Sequence, residues 1–311
     1  MGEKIDIAIV GGGPAGITAA IYGARARVKT VVFETGLPGG QIVSASHVEN
    51  FPGFPNGVSG QELGDLMIQQ AQNQGAEFRT LSPVEAIGPA ADGFVLTVGG
   101  EEIAARVVIL ATGAIPKKLA IPGEAEFTGR GVSWCATCDG PLYREKSVAV
   151  IGGGDSATQE AIYLAKIAKE VHLIHRRVEL RATQCLQDEC FFNPQIKMHL
   201  SHVVDEIVGE NGKVKGVKLR SKDDGSESIL LVDGVFEFVG IDPQSSLVAG
   251  MCELDDVGFV KVDPNGLTTC KGMYAAGDVS NYELKQVVTA CARGAFAAFH
   301  AAHYLERKDL N

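Results

Sequence analysis

Two cysteines separated by two residues, Cys135 and Cys138, have the clearest capacity for chemistry in this chain. A Cys-x-x-Cys pair can close a small disulfide ring, and its geometry can make one thiol acidic enough to act as a nucleophile. Asp139 follows directly and could donate a proton to the thiolate that is released when the ring opens. Zinc usually takes four ligands, and the sequence offers no second cysteine or histidine pair to complete a site. We therefore expect a redox dithiol and no metal, with a structural or metal-binding role as the alternative.

A glycine-rich turn near the start of the chain indicates a first nucleotide site. Gly11, Gly13 and Gly16 lie between an apolar strand and a helix, with the spacing that lets a backbone approach a pyrophosphate. The helix N-terminus adds partial positive charge for the phosphates. The next strand ends in Glu34, whose carboxylate would accept hydrogen bonds from the ribose hydroxyls and repel a 2′-phosphate. This site favours FAD or NAD over NADP, and a glycine turn without a ligand is the alternative.

A second turn repeats the pattern fourteen residues after the dithiol, with Gly152, Gly154 and Ala157 at the same spacing. At the end of the following strand the chain carries His175–Arg177, and Arg181 lies about one helical turn further on. Guanidinium groups bind a phosphate dianion through charge-assisted, often bidentate hydrogen bonds. The second site is therefore expected to prefer NADPH to NADH, the alternative being a solvated basic surface.

Two strand–turn–helix units predict an α/β protein with two Rossmann-like (three-layer ββα) dinucleotide-binding domains, the second inserted in the first. The C-terminal segment has no glycine turn of its own and is expected to fold back onto the first domain. We place the domain of the first nucleotide site at residues 1–117 and 242–311 and the domain of the second site, which carries the dithiol, at 118–241. Linkers are expected near 114–118 and 241–245.

Composition restricts the partners and the location of the protein. A net charge of −10 argues against nucleic acid or an anionic membrane as the main partner. No signal peptide and no apolar run long enough to span a bilayer are recognised, so a cytoplasmic location with reduced thiols is expected. Cys185 and Cys190 could form a second dithiol, although two ordinary thiols are the simpler interpretation.

In their order along almost the whole chain, these motifs resemble the low-molecular-weight, bacterial-type thioredoxin reductase family of FAD- and NADPH-dependent flavoproteins. The segments that carry the resemblance are Gly11–Gly16, Gly39–Gln41, Val48–Gly53, Ala111–Gly113, Cys135–Gly140, Gly152–Ala157, His175–Ala182 and Ala275–Val279. The resemblance implies a homodimer, thioredoxin as the protein substrate, and rotation of the two domains between half-reactions. It also implies that Cys138 faces the flavin, that Cys135 attacks the thioredoxin disulfide, and that Asp139 is the proton donor.

Matching residue by residue extends the resemblance to the two cofactors. The residues expected to contact FAD are Gly11, Gly13, Pro14, Ala15, Gly16, Glu34, Thr35, Gly39, Gly40, Gln41, Asn50, Ala111, Thr112, Gly113, Gly277, Asp278, Lys285, Gln286 and Val287. Those expected to contact NADPH are Gly152, Gly154, Asp155, Ser156, Ala157, His175, Arg176, Arg177 and Arg181. The chain departs from the family at Lys285, where arginine is usual, and at Arg293, where small or acidic residues are more common.

Three alternatives to this function are compatible with parts of the sequence. The same chemistry could serve another thioredoxin- or glutaredoxin-like partner, or the electrons could come from a ferredoxin instead of NADPH. Ferredoxin-dependent relatives tend to lose the arginine pair, which is retained here at Arg176 and Arg177. A non-catalytic nucleotide sensor is disfavoured by the intact dithiol and by Asp139.

Overall fold

The computed structural model describes residues 4–45 and 48–310. Contacts between residues divide the chain into two compact units. The first unit extends to Ile115 and resumes at Asp242, and the second comprises Pro116–Ile241. Both contain parallel sheets with helices, so the predicted α/β class is confirmed.

The secondary structure consists of seventeen strands and seven α-helices over the described residues. The strands are β1 Lys4–Val10, β2 Thr30–Phe33, β3 Glu77–Arg79, β4 Val84–Ala90, β5 Gly93–Val98, β6 Glu101–Leu110, β7 Ala114–Pro116, β8 Val132–Ser133, β9 Ser147–Gly152, β10 Glu170–Ile174, β11 Ile196–His199, β12 His202–Glu210, β13 Lys213–Ser221, β14 Glu227–Leu231, β15 Gly234–Phe238, β16 Ile241–Pro243 and β17 Met273–Ala275. The helices are α1 Pro14–Arg25, α2 Gly60–Asn73, α3 Glu124–Phe127, α4 Ala136–Asp139, α5 Asp155–Ala165, α6 Gln184–Phe192 and α7 Val287–Asp309.

The first unit is built on a sheet with the strand order β3-β2-β1-β6-β5-β4, with β17 also paired to β6. Strands β1, β2, β3, β6 and β17 run parallel, whereas β4 and β5 pair antiparallel. Strand β1 is buried on both faces: Ile7 and Ile9 pack into one apolar cluster, and Ala8 and Val10 into the other. Burial on both faces explains why this strand is a nearly continuous apolar run instead of an alternating one.

The second unit contains a parallel sheet of order β11-β10-β9-β15-β8 and an antiparallel sheet β12-β13-β14. The order β11-β10-β9-β15 corresponds to β3-β2-β1-β6 of the first unit. The register makes the correspondence specific, because Val10 pairs with Leu110 in the first unit and Ile151 pairs with Glu237 in the second. Leu110 and Glu237 therefore occupy equivalent positions.

The segments predicted as linkers contain short strands. Strands β7 and β16 pair with each other in a two-stranded sheet. Each ends in a proline, Pro116 or Pro243, and the residue before a proline is biased towards extended backbone. This bias accounts for extended structure where an irregular linker was expected. Among the described residues, no helix has the length and apolar character needed to cross a membrane.

Candidate redox and nucleotide sites

The first glycine turn follows β1 and packs closely against the backbone that follows β6. Gly11 has a φ of +107°, and a Cβ there would meet the carbonyl oxygen of Ala111 at 2.4 Å. A Cβ on Gly16 would lie 1.9 Å from the carbonyl oxygen of Gly11. Helix α1 begins at Pro14, a residue well suited to the first helical position. The turn therefore leaves backbone without side chains at the helix N-terminus, as a bound pyrophosphate requires.

Glu34 is fixed beside this turn by two backbone hydrogen bonds. The N–H of Gly12 donates to its Oε2 at 2.7 Å, and the N–H of Gly36 donates to its Oε1 at 2.9 Å. Each carboxylate oxygen keeps a further lone pair with which to accept a ribose hydroxyl. The carboxylate therefore fits the ribose of an adenine dinucleotide.

Other predicted flavin residues converge on the same side of the first unit. Gly40 has a φ of +64°, and a Cβ there would meet the Cα of Gly13 at 2.7 Å, so these two glycines permit a close approach. The Nδ2 of Asn50 donates to the Oε1 of Gln286 at 3.0 Å. Gln286 also caps α7 through a capping box with Thr289. The first two contacts each join two of the residues predicted for FAD that are far apart in sequence.

Lys285, which departs from the family pattern, supports the backbone near Asp278. Its Nζ donates to the carbonyl oxygens of Asp278 at 3.1 Å and Ser280 at 2.7 Å. The ammonium also lies 4.1 Å from the ring centroid of Phe259. Burial lowers the pKa of Lys285 and raises the pKa of Asp278, with each charge opposing the shift of the other. Lys285 thus holds the segment expected to meet the flavin.

The second turn repeats the first with different residues. Gly152 has a φ of +155°, and a Cβ there would meet the carbonyl oxygen of Phe238 at 2.5 Å. Ala157 takes the position of the third glycine and is fully buried. Asp155 begins α5, and its Oδ1 accepts the backbone N–H of Thr183 at 2.7 Å. The carboxylate thereby joins the turn to the segment before α6.

His175 stands where Glu34 stands in the first unit, directly after the second strand. It is 5% exposed, and a Cβ on Gly153 would collide with its Nδ1 at 2.2 Å. Burial and then the charges of Arg181, Arg177 and Arg176 lower the pKa of His175. The imidazole therefore supports the turn as a neutral group. The three arginines are exposed and surround it, and they form a basic cluster that fits a phosphate.

Cys135 and Cys138 form a disulfide in the structure, with an S–S distance of 2.10 Å. The pair follows β8, and Cys135 caps the short helix α4. The backbone N–H of Cys138 donates to the Sγ of Cys135 at 3.1 Å. A donor at that sulfur favours its thiolate once the disulfide is reduced. Cys138 is the more exposed of the two residues.

Ser133, which the sequence did not single out, connects the dithiol to Asp139. Its hydroxyl donates to the Oδ2 of Asp139 at 2.6 Å and accepts the backbone N–H of Cys135 at 3.1 Å. Ser133 is 5% exposed, so both bonds are sheltered from water. The acid and the sulfur expected to act as nucleophile therefore share one support. Only its place two residues before the dithiol could have drawn attention to it.

Comparison with known proteins identifies the family. The pyridine nucleotide-disulphide oxidoreductase family matches residues 5–294. This chain belongs to that family. The oxidoreductase is 43% identical to the thioredoxin reductase of Listeria monocytogenes, over 98% of this chain and 95% of the relative. The thioredoxin reductase structure from Streptococcus pyogenes superposes with a TM-score of 0.93 at 38% identity, covering 99% of this chain and 100% of that one.

A longer relative gives the same family. The oxidoreductase is 43% identical to NADPH-dependent thioredoxin reductase 3 of Arabidopsis thaliana over 99% of this chain. It spans 60% of the length of that protein. These matches confirm the resemblance expected from the motifs. Membership of the family implies the use of a pyridine nucleotide and a flavin.

The two units of the oxidoreductase separate the predicted site residues cleanly. The residues predicted for FAD all fall in the first unit, and those predicted for NADPH, with the dithiol, fall in the second. Arg293, the other departure from the family, stacks its guanidinium 3.4 Å from the ring centroid of Tyr282 and donates to the carbonyl oxygen of Pro264.

The remaining cysteines and the histidines do not form a second redox or metal centre in the part of the chain that the structure describes. Cys185 is an exposed free thiol, whereas Cys190 is buried and free. Burial raises the pKa of Cys190 to about 11, which makes that thiol a poor nucleophile. Residues 4–45 and 48–310 contain no group of three or more potential ligands arranged to hold a metal ion.

Proposed function

We propose that the protein is a thioredoxin-disulfide reductase in which electrons pass from NADPH to FAD, then to the Cys135–Cys138 disulfide, and finally to oxidised thioredoxin. The observation that carries the proposal is the disulfide itself. It lies in the same unit as a glycine turn bordered by arginines, in a chain whose nearly full-length relatives are named thioredoxin reductases.

The two nucleotide sites support the assignment of the cofactors. FAD, when bound, supplies the two-electron chemistry between the nicotinamide and the disulfide. Glu34 and the turn at Gly11 would hold its ribose and pyrophosphate, since both oxygens of Glu34 are already oriented by backbone donors. Arg176, Arg177 and Arg181 would hold the 2′-phosphate of NADPH, because three exposed guanidinium groups gather beside one turn.

The dithiol performs the exchange with the protein substrate. Reduction of the disulfide by two electrons and two protons gives two thiols, and Asp139, which follows Cys138 in the chain, would deliver one of the protons. The Cys135 thiolate, favoured by the N–H of Cys138, then attacks one sulfur of the oxidised thioredoxin and releases the other as a thiolate. Loss of its proton makes Cys138 a thiolate, which attacks Cys135 in the resulting mixed disulfide and re-forms the ring. The reduced thioredoxin that is released takes up the two protons given up by Cys135 and Cys138.

The location of the groups in different units calls for a conformational step. The dithiol and the NADPH residues belong to the second unit, whereas the flavin residues belong to the first. The disulfide and the nicotinamide cannot both occupy the same reactive face of one flavin. Rotation of the units about the two connecting segments, near residues 114–118 and 241–245, resolves this conflict. A covalent cross-link that pins the units should leave one half-reaction and stop turnover, and full turnover in the pinned protein would exclude the rotation.

A homodimer in the cytoplasm completes the proposal. Helix α7 exposes Phe296 at 49% and Phe299 at 50%, and Tyr22 on α1 is 45% exposed. Exposed aromatic side chains on packed helices are typical of surfaces that a second copy covers. Sedimentation equilibrium should give twice the mass of the chain, and a monomer at micromolar concentration would exclude the dimer.

One experiment tests the donor and the acceptor separately. The purified flavoprotein is titrated anaerobically with NADPH, and in parallel with NADH, while the flavin absorbance is followed, and oxidised thioredoxin is then added. NADPH should bleach the flavin at lower concentration than NADH, and thioredoxin should restore the colour. Failure of NADPH to bleach the flavin would exclude the donor, whereas bleaching without reoxidation by thioredoxin would exclude the substrate. No observation on the described residues favours the ferredoxin-dependent alternative.

A further inference from the structure

A buried carboxylic acid lies in the core of the second unit, next to the dithiol segment. Glu237 is 2% exposed on β15, between Phe236 and Phe238. The equivalent position in the first unit is occupied by Leu110, which is 1% exposed. Burying a carboxyl group costs free energy that burying leucine does not. The second unit therefore carries this group at a cost, which suggests a role for it.

Glu237 is bonded to the residue that precedes the dithiol. The indole Nε1 of Trp134 donates to its Oε2 at 3.1 Å. Strand β8 pairs with β15 up to Ser133, so Trp134 leaves β8 beside Glu237. The neighbouring Ser133 points to the opposite face and bonds to Asp139. The end of β8 is thus anchored on both faces immediately before Cys135.

A second buried carboxyl group lies close enough for its charge to raise the pKa of Glu237. Glu124 on α3 is also 2% exposed, and its Oε2 accepts the backbone N–H groups of Ala120 at 2.5 Å and Ile121 at 3.3 Å. The Oε1 atoms of Glu124 and Glu237 are both buried without a hydrogen-bond partner among the described residues. Two unpartnered acceptors in one apolar region are relieved when one carboxyl group carries a proton.

Burial and the neighbouring charges bring the pKa of Glu237 close to neutral pH. Burial, followed by the charge of Glu124, raises the pKa of Glu237 to about 7. The indole N–H of Trp134, the backbone N–H of Leu119 and the ammonium of Lys118 oppose this rise. The Lys118 Nζ also lies 5.7 Å from the ring centroid of Trp134. Protonation of Glu237 therefore alters the surroundings of a single indole.

We propose that Glu237 is a positioning residue for the dithiol, acting through Trp134 on Cys135. Its carboxyl group fixes the indole, and the indole fixes the backbone from which Cys135 reaches its partner. Because the carboxyl group of Glu237 bonds directly to the indole, gain or loss of its proton changes the position of this segment with pH. The catalytic part of this inference rests on the proposed thioredoxin reductase function, whereas the response of Trp134 to pH does not.

The fluorescence of Trp134 tests the carboxyl pair without catalysis. Trp134 is the only tryptophan of the chain, so its emission reports this location alone. The flavoprotein should show a change in emission with a midpoint near pH 7, as the pKa of Glu237 requires. Glu237→Gln should abolish that transition, and Glu124→Gln should move it to lower pH because a neighbouring negative charge is removed. An unchanged transition in Glu237→Gln, or none in the unsubstituted protein, would overturn the proposal.

Steady-state and half-reaction kinetics test the positioning role. Trp134→Phe and Glu237→Leu should each lower kcat for thioredoxin reduction by about three- to tenfold, the value of one hydrogen bond. The double variant should lose no more than either single variant, since both remove the same bond. Glu237→Gln keeps an acceptor oxygen and should restore most of the rate. NADPH-driven bleaching of the flavin should be unaffected in every variant.

Two outcomes of the kinetics would exclude the positioning role. One is full kcat in Glu237→Leu with normal flavin content, and the other is multiplicative losses in the double variant, which would show that the two residues act independently. If the unsubstituted protein fails to reduce thioredoxin, the proposed function is wrong while the fluorescence experiment still decides the carboxyl pair. Flavin absorbance and circular dichroism of Glu237→Gln establish that the fold survives, because this variant nearly preserves the volume of the side chain.

Discussion

The two units of this oxidoreductase share a strand order and a glycine turn. They differ in the residues that follow the strand after each turn's helix, β2 or β10. Strand β2 is followed by Glu34, whose oxygens are held by backbone N–H groups beside the first turn. Strand β10 is followed by His175, which is buried behind Gly153, and exposed arginines come next in the chain. In the proposed function, the residues that follow this strand decide whether each turn accepts or rejects a 2′-phosphate.

A second difference concerns the interior of the two sheets. Leu110 and Glu237 occupy equivalent positions, and only the second is polar. The polar residue belongs to the unit that carries the dithiol. The same interior position of the sheet is therefore apolar in the first unit and polar in the second. In our proposal, the polar residue is needed because the neighbouring strand β8 has to hold the dithiol segment in place.

The largest expected effect comes from removing one sulfur of the dithiol in the second unit. Cys138→Ser should abolish thioredoxin turnover, because no disulfide can form, and should leave NADPH-driven bleaching of the flavin intact. Stopped-flow absorbance of the flavin, together with a thioredoxin assay, measures both reactions. Cys185→Ser is the matched control, since it removes an exposed free thiol of the same unit. Measurable thioredoxin reduction by Cys138→Ser would contradict the assigned dithiol.

The arginine cluster can be removed to test how the strand ends differ. The double substitution Arg176→Ala and Arg177→Ala should weaken the binding of NADPH by about 1.5–3 kcal/mol for each charged hydrogen bond lost. It should hardly affect the binding of NADH. Binding constants for both nucleotides, measured by flavin bleaching, give the comparison. Lys215→Ala removes an exposed positive charge elsewhere in the second unit and controls for general electrostatics. Equal losses for NADPH and NADH would show that the cluster does not bind a 2′-phosphate.

The interior difference predicts a pH dependence of stability. The pKa of Glu237 is raised from 4.5 to about 7 in the folded protein, so the folded state holds a proton that the unfolded state has released. Stability from this group is therefore full below about pH 4.5 and is lost as pH rises to about 7, by about 3 kcal/mol. Glu237→Gln should lack this loss.

Urea unfolding followed by Trp134 emission at several pH values measures that change within the second unit. Leu110→Val is the matched control, since it alters the equivalent position without a titrating group. A parallel pH dependence in Glu237→Gln would assign the effect to other groups.

The smallest predicted effect concerns the third position of each turn. Gly16→Ala places a Cβ 1.9 Å from the carbonyl oxygen of Gly11 and should destabilise the first unit by about 1–3 kcal/mol, with loss of flavin. Ala157→Gly makes the opposite change at the equivalent position of the second turn, because it removes a Cβ. It should cost about 1 kcal/mol of helix stability. Flavin content and melting temperature report both. A Gly16→Ala protein with full flavin would show that the first turn relaxes as readily as the second.

The parts of the fold that were predictable from sequence are those that local pattern determines. Apolar strands followed by glycines at fixed spacing predicted both turns, and the local spacing of Cys135 and Cys138 predicted the dithiol. The bond between Trp134 and Glu237 depends instead on the pairing of β8 with β15, about a hundred residues away in sequence. A charged residue inside an otherwise apolar strand was the one available signal.

His175 illustrates the opposite limit. The family resemblance predicted that His175 contacts NADPH, but the fold turns its ring towards Gly153, whereas the neighbouring arginines are exposed. Side-chain direction at the end of a strand depends on what packs above it, which one-dimensional spacing does not record. Its contribution to nucleotide binding stays a prediction.

Strand β8 is only two residues long, and this brevity limits the changes in length that the chain can tolerate there. Its pairing with β15 sends Ser133 towards Asp139 and the next residue towards Glu237. Because side chains alternate between faces, inserting or deleting one residue before Cys135 would exchange the two directions at once. Substitutions in this segment are expected to be graded in effect, whereas any change in its length should be all-or-none, so homologues should vary in composition here but not in spacing.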